Sequence, residues 1–151
     1  MSNDMKAPTP RLTVISLGVS DMKASIAFYE ALGFVRKCRG TGEEVAFFDT
    51  GGTMVGLYPW HLLAADATLP EQPRPTAFRG MTLAWNCRSN EEVDAVLAFA
   101  VSKGASLLKP AQATHYGGYC GYFTDPDGHA WEAVVAPGFV IGRDRRVSLP
   151  D

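Results

Sequence analysis

The chain has 151 residues, the size of one compact domain, and its 46% hydrophobic and 20% charged residues exclude a disordered or fibrous protein. The formal net charge of −2 leaves no basic excess for nucleic acid. No stretch approaches the roughly 18 consecutive apolar residues that cross a membrane, so we expect neither nucleic acid nor a membrane as a partner.

The N-terminus and the cysteines bear on the compartment. Residues 1–10 are polar and lack the apolar core of a signal peptide. Cys38, Cys87 and Cys120 stand far apart and form no C-x-x-C pair, which favours neither a disulfide framework nor a thiolate metal site. We therefore expect a cytoplasmic protein.

The first predicted module covers residues 11–59. Apolar residues alternate with small ones over residues 12–19, which predicts a strand, and apolar residues then recur at helical spacing over residues 22–32. Asp21 and Gly33 are suited to cap this helix at its start and its end. Further strands are predicted at residues 34–38, 45–49 and 53–58.

A linker at residues 60–78 interrupts the pattern. Residues 60–65 predict a short helix, and the prolines that follow predict a stiff, extended segment: Pro70, Pro73 and Pro75. A linker of this length would let the modules pair within one chain or exchange with a second chain.

The second predicted module, residues 79–137, repeats the order of the first. A strand at residues 81–87 leads into a helix that ends before Gly104, and a strand at residues 105–109 is expected to stop at Pro110. Strands at residues 119–123 and 130–135 then form a predicted hairpin, closed by the turn Asp125-Pro126-Asp127-Gly128.

Two features near the C-terminus are predicted to lie at the surface. His129 adjoins the hairpin turn, and because it is three residues before Glu132, its side chain is predicted to point to the opposite face of the sheet. Residues 138–151 form a tail whose basic run is expected to be solvated, and that run consists of Arg143, Arg145 and Arg146.

The repeated order of elements indicates an internal duplication. Residues 27–33 and 98–104 occupy the same place at the end of the helix in each module. One helix covers only one face of its sheet, so the other face must form a concave half-cup that meets its counterpart. We therefore predict an α+β fold, in which two tandem βαβββ modules form a paired, cup-shaped mixed sheet with the helices outside and a small-molecule cavity between the modules.

Two stretches carry a resemblance to a known family. LGVSD at residues 17–21, followed by AFYEALGF at residues 27–34, resembles the opening of the vicinal oxygen chelate superfamily, the group of glyoxalase I, the bleomycin-resistance proteins and the extradiol dioxygenases. GGYCGYFTDPDGHAWE at residues 117–132 resembles its closing signature. The resemblance covers residues 11–137, and the chain is similar to small bacterial glyoxalase-family proteins. The resemblance implies a ligand held in the cup between the sheets.

The resemblance also implies positions for a metal. Metal enzymes of the superfamily draw His, Gln and Glu ligands from the first and last strands of each module, and these positions match Val14, Gly56, Thr82 and Glu132. Only Glu132 has a ligating side chain of that kind, whereas a catalytic transition metal needs about three protein ligands. We therefore expect no cofactor, and a divalent metal is the less favoured alternative.

The predicted cup is mostly small and apolar, which suits an organic ligand. Alternation along the strands places Glu132 in the cup, with a few other polar groups. Aromatic residues would provide flat surfaces for stacking, and the Gly117-Gly118 loop, which follows His115, would overhang the cup. The predicted ligand-binding residues are Tyr58, Trp60, Thr82, Asn86, His115, Tyr116 and Tyr122.

Two functions from different classes remain open. The first is a metal-free binder of a small organic molecule, as the resemblance to the bleomycin-resistance branch implies. The second is a lyase or isomerase of the glyoxalase type, with or without a divalent metal, in which Glu132 is the general base and Tyr58, Thr82 or His115 stabilises an enolate. In either case the free sheet edges and apolar surface favour a homodimer.

Overall fold

A computed structural model describes residues 7–151. Its helices are α1 (Met22–Ala31), α2 (Trp60–Asp66) and α3 (Asn90–Ser102), with a 3-10 turn at Arg39–Thr41. Its strands are β1 (Val14–Val19), β2 (Val35–Lys37), β3 (Ala46–Asp49), β4 (Met54–Pro59), β5 (Leu83–Asn86), β6 (Ser106–Ala113), β7 (Tyr119–Thr124), β8 (Ala130–Val135), β9 (Val140–Ile141) and β10 (Val147–Ser148). No helix among residues 7–151 is long and apolar enough to cross a membrane.

The strands of the two modules form four-stranded sheets of the same topology. The first sheet has the order β1-β4-β3-β2 and the second has the order β5-β8-β7-β6. In each sheet the first and last strands of the module pair in parallel and the other pairs are antiparallel. The predicted α+β fold of two tandem βαβββ modules is confirmed, and the two sheets remain separate within one chain.

Alternation along the strands decides which face of each sheet is buried. Leu17, Leu57 and Trp131 lie on the face that packs against the helices, in one hydrophobic core that includes residues of both modules. Ser16 on β1 and Ala84 on β5 lie on the opposite face and are exposed. The faces predicted to form the cup are therefore partly open in a single chain.

The two long helices begin and end in matching ways. Asp21 accepts a hydrogen bond from the Ala24 amide at 3.0 Å, and Ser89 accepts one from the Glu92 amide at 3.1 Å. Each helix is followed by a glycine with positive φ, 93° at Gly33 and 104° at Gly104. The structural equivalence of these ends agrees with the predicted duplication.

The prediction that a strand would stop at Pro110 was wrong. Strand β6 continues through Pro110 to Ala113, and its register against β7 shifts between Leu107 and Lys109 and again between Lys109 and Gln112. Because β6 is an edge strand, a residue without an amide proton costs no ladder hydrogen bond on its open side. The two register shifts, of the kind that β-bulges produce, accommodate the proline within the strand.

The C-terminal tail is more ordered than the predicted solvated segment. Strands β9 and β10 pair as a short hairpin, and Arg146 Nε donates to the carbonyl oxygen of Gly51 at 3.0 Å. Arg145 lies 3.7 Å from Asp49 in an exposed ion pair. The tail therefore packs on the turn between β3 and β4, although its arginine side chains remain exposed.

Candidate binding cavity between the modules

A cavity of about 1140 Å³ lies between the two modules and beneath the linker. The sheets contribute small and polar residues to its walls, and helix α2 and the linker contribute apolar ones. The lining includes Ser16, Gly18, Thr82, Leu83, Tyr122, Thr124 and Ala130 from the sheets and their ends, Trp60, Leu63 and Ala64 from α2, and Leu69, Pro70, Phe78 and Met81 from the linker and its end. Most of this lining is apolar, so the cavity suits an organic molecule.

Three of the residues predicted to bind a ligand line this cavity: Trp60, Thr82 and Tyr122. Tyr58 and Asn86 are half-buried on β4 and β5, outside the lining of the cavity. The remaining predicted pair is exposed before β7, where the rings of His115 and Tyr116 pack edge to face at 5.3 Å. Ligand contact by any of these residues stays a prediction.

Glu132 lies on the open face of the second sheet. It stands opposite Tyr122 on β7 and Ala84 on β5, is half-buried, and lies outside the cavity lining. Burial raises the pKa of Tyr122 to about 12, and the charge of Glu132 and its hydrogen bond with the phenol act in the same direction. The phenol is therefore protonated at neutral pH and available as a donor to the carboxylate.

Cys120 belongs to the same open face. Burial is the main reason that the pKa of its thiol is raised, and the charge of Glu132 adds to the effect. A protonated, buried thiol is a poor nucleophile. Cys120 therefore serves here as a small packing residue beside Glu132.

The residues at the implied metal positions do not fit a transition metal. Val14 and Gly56 lie on the paired strands β1 and β4, and a Cβ built at Gly56 would be 3.1 Å from the Val14 side chain. Thr82 precedes β5, and Glu132 is the single carboxylate of the set. Within residues 7–151 no group of three or more His, Cys, Asp and Glu side chains is arranged to hold a metal ion.

The turn that closes the β7–β8 hairpin is fixed to the first module. The Asp127 side chain is 1% exposed, and its Oδ1 accepts from the Ser20 amide at 2.9 Å. Its Oδ2 accepts from the Ser25 hydroxyl at 3.2 Å, and Arg74 of the linker pairs with Oδ1. A buried carboxylate with this many donors stabilises the contact between the modules at the start of α1.

Asp125 of the same turn is equally well bonded. Its Oδ1 accepts from the amides of Asp127 and His129 at 3.0 and 2.8 Å, and its Oδ2 accepts from the Tyr29 hydroxyl at 2.8 Å. Burial, with the charge of Asp125 second, raises the pKa of Tyr29 well above its ordinary value. Neither carboxylate of the turn retains an oxygen without a donor.

His129 is buried, so its predicted position at the surface was wrong. Its Nε2 lies 2.8 Å from the carbonyl oxygen of Gly18, and its Nδ1 lies 3.2 Å from a guanidinium nitrogen of Arg79. A carbonyl oxygen only accepts and a guanidinium only donates, so the ring is the neutral tautomer with the proton on Nε2. The ring also stacks on Trp60, with centroids 6.4 Å apart.

Arg79 completes this contact from the end of the linker. Its guanidinium donates to the carbonyl oxygens of Pro75 and Asp127 at 3.0 and 2.6 Å, and lies 5.6 Å from the centre of the Trp60 ring. Sequence reasoning missed Arg74 in the linker and Arg79 just after it, because an extended segment has no periodicity that assigns a direction to its side chains. It identified Asp127 only as a turn residue.

Comparisons with known proteins agree on the family. The family model described as Glyoxalase/Bleomycin resistance protein/Dioxygenase superfamily matches residues 11–133. Metallothiol transferase FosB from Lysinibacillus sphaericus is 30% identical over 114 residues, which cover 76% of this chain and 74% of that protein.

Solved structures agree on the fold. A glyoxalase-related enzyme from Fulvimarina pelagi is 34% identical, with a TM-score of 0.83 over 95% of this chain and 100% of that one. A glyoxalase/bleomycin resistance protein/dioxygenase family enzyme from Burkholderia phytofirmans is 23% identical, with a TM-score of 0.74 over 84% of this chain and 99% of that one. At that lower identity the likeness concerns the fold alone.

Proposed function

Because the chain belongs to the glyoxalase/bleomycin resistance protein/dioxygenase superfamily, we propose that it binds a small organic molecule in the cavity between its modules. Membership alone does not decide the chemistry, since one fold carries many functions. The observation that carries the proposal is the cavity of about 1140 Å³, whose mostly apolar surface is interspersed with polar and charged side chains. Sites for organic molecules in proteins have this composition.

We propose further that binding requires no resident divalent metal. The relative from Lysinibacillus sphaericus is named a metallothiol transferase, which makes metal-dependent chemistry the main competing possibility. The donor set argues against it here, because Val14, Gly56 and Thr82 leave Glu132 without the two further ligands that such a metal needs. Binding then depends on the apolar walls and the hydrogen-bonding groups of the cavity.

A neutral fluorescent dye tests the cavity directly. Phenylnaphthylamine, which fluoresces in apolar sites, should bind the wild-type protein with a saturable signal. Ala64→Trp places a large side chain in the cavity and should weaken dye binding about tenfold by excluding it. Ala65→Trp is the matched control, since Ala65 is exposed on the same helix and outside the lining.

The two variants together decide the outcome. Loss of dye binding in Ala64→Trp and its retention in Ala65→Trp support the cavity as the binding site. Equal binding by the wild type and both variants would contradict the proposal, because the dye would then be binding elsewhere. Far-ultraviolet circular dichroism of each variant verifies that the fold is retained.

A second candidate is a lyase or isomerase in which Glu132 is the general base. The observation that favours it is the pairing of Glu132 with Tyr122, which sets a carboxylate beside a phenol that is protonated at neutral pH. Glu132 lies outside the cavity lining of a single chain, so this candidate requires a second chain or a ligand that reaches the open face.

Isotope exchange distinguishes this candidate from simple binding. A carbonyl compound that binds the protein should exchange the hydrogen on its neighbouring carbon for deuterium in heavy water, at a rate above that of the solution reaction. Glu132→Gln should abolish the exchange and leave binding unchanged, because it removes the base and keeps the shape. Absence of exchange in the wild type would leave only the binding function.

We also propose that the protein is a homodimer. Strands β1 and β5 are sheet edges, and Ser16 and Ala84 on the open faces beside them are exposed. Elution at twice 16.3 kDa over a wide concentration range is expected in gel filtration. Ala84→Lys on the open face should shift elution to the monomer, whereas Ala98→Lys, at an exposed position of α3, should not. A wild-type monomer at all concentrations would contradict this proposal.

A further inference from the structure

The acidic and the cationic side chains around the cavity differ in whether other groups of the protein neutralise or hydrogen-bond their charges. Its lining includes the cationic side chains of Arg74, Arg79 and Lys109 and the acidic side chains of Asp125 and Asp127. Both carboxylates are fully occupied by donors from the protein, so neither is free to receive a cationic group of a ligand. The cavity therefore has no acidic partner to offer a bound amine.

In the part of the chain that the structure describes, two of these three cationic side chains have no partner of opposite charge, whereas both carboxylates have a full set of donors. Arg74 pairs with Asp127, but Arg79 donates only to carbonyl oxygens and to the neutral ring of His129. Lys109 is half-buried, and within residues 7–151 no carboxylate lies within ion-pair distance of its ammonium group. Among the residues that the structure describes, the cationic side chains of Arg79 and Lys109 therefore line the cavity without an ion pair to a carboxylate.

We propose that the ligand of this cavity is an amphipathic organic anion, with an apolar body against Trp60 and the linker and an anionic group that pairs with Lys109. The inference rests on the proposed function, since it assigns a chemical class to the molecule bound in the same cavity. An anion adds the missing partner to a half-buried cation, and a charge-assisted hydrogen bond is stronger there than at an exposed surface. A neutral or cationic ligand leaves that cation unpaired.

The geometry also argues for a terminal anionic group. Lys109 extends from the edge strand β6, and the apolar residues of α2 and the linker, such as Leu63 and Phe78, belong to other elements around the cavity. A molecule that contacts both must have a polar end and an apolar body. Trp60, whose ring packs against His129 and Arg79, contributes aromatic surface to the cavity wall that the apolar body would contact.

A pair of dyes separates this inference from the function on which it rests. Anilinonaphthalene sulfonate and phenylnaphthylamine share their ring system, and only the first carries an anionic group. We expect the sulfonate to bind the wild type more tightly than the neutral dye, and its affinity to fall as ionic strength rises. Lys109→Gln should weaken sulfonate binding about fivefold and leave the neutral dye unaffected.

Lys23→Gln is the control for a change of charge alone, because Lys23 is exposed on α1 and lies outside the cavity. Equal affinities for the two dyes, or equal loss of sulfonate binding in Lys109→Gln and Lys23→Gln, would overturn the inference and leave the proposed function intact. Failure of both dyes to bind would overturn both proposals. Selective loss of sulfonate binding in Lys109→Gln supports the inference.

Discussion

The hydroxyl of Tyr29 donates to Asp125 Oδ2 at 2.8 Å and so connects helix α1 of the first module to the last hairpin of the second. The same hydroxyl accepts from Trp131 Nε1 at 3.0 Å. The Tyr29 side chain is fully buried, so Asp125 Oδ2 and Trp131 Nε1 depend on its hydroxyl for their hydrogen bonds. One phenol therefore satisfies a carboxylate and an indole in the shared core.

Tyr29→Phe should destabilise the protein because it leaves Asp125 Oδ2 and Trp131 Nε1 each without a hydrogen-bond partner in the core. We expect a loss of about 2 kcal/mol in the free energy of unfolding, measured by urea denaturation. Tyr119→Phe is the matched control, since Tyr119 also donates to a carboxylate at 2.8 Å, that of Asp94, but near the surface. Equal effects of the two substitutions would contradict the importance assigned to burial.

His129→Leu should loosen the contacts that join the hairpin turn of the second module to Gly18 on β1 and to Arg79. The change removes the donor to Gly18 and the acceptor from Arg79, and leaves a buried carbonyl oxygen unpaired. We expect a cost of about 1–3 kcal/mol in the free energy of unfolding, which chemical denaturation measures. His61→Leu, at an exposed position of α2, should have little effect. A stability equal to that of the wild type in His129→Leu would show that the contact is dispensable.

The sequence could predict the fold because its signals are local and repeated. Alternation in β1 and β8, the helix start at Asp21 and the glycine ends of two helices each follow from neighbouring residues. Pro110 shows the limit of such reasoning, since whether it ends a strand depends on β6 being at the edge of its sheet. Strand order is a tertiary property.

The site was only partly predictable for the same reason. Parity along a strand gives the face on which Thr82 or Tyr122 lies, and both line the cavity. Strand parity gives no information about the extended linker, which covers the cavity, or about Arg79, which follows the linker. The burial of His129 also depends on a contact with Gly18, more than one hundred residues earlier in the chain. No pattern within either module indicates that contact.

Alkaline titration should show a late ionisation of Tyr122, beside that of the buried Tyr29, whose pKa is also raised. The pKa of Tyr122 is raised to about 12 in the folded protein, above the value near 10 of an unfolded tyrosine, so folding favours the protonated phenol. The stability that this group contributes is complete below about pH 10 and is lost as the pH rises towards 12. Absorbance of tyrosinate, recorded while the fold is monitored by circular dichroism, measures the ionisation.

Variants resolve the contribution of each group to this titration. Tyr122→Phe should remove a late component of the absorbance change. Glu132→Gln should move the component to lower pH, because a negative charge beside the phenol is lost, but only in part, since burial is the largest cause of the raised pKa. An unchanged titration in Glu132→Gln would mean that the carboxylate does not interact with Tyr122.

Metal content provides the last prediction. Protein purified without chelators and without a metal-binding tag should contain divalent metal well below one equivalent, because Val14, Gly56 and Thr82 are not ligands. Glu132→Ala should leave that content unchanged, as determined by mass spectrometry of the digested protein. A stoichiometric metal in the wild type that is absent from Glu132→Ala would contradict the metal-free proposal. It would favour a metal-dependent reaction and require that a second chain or loop histidines supply the remaining ligands.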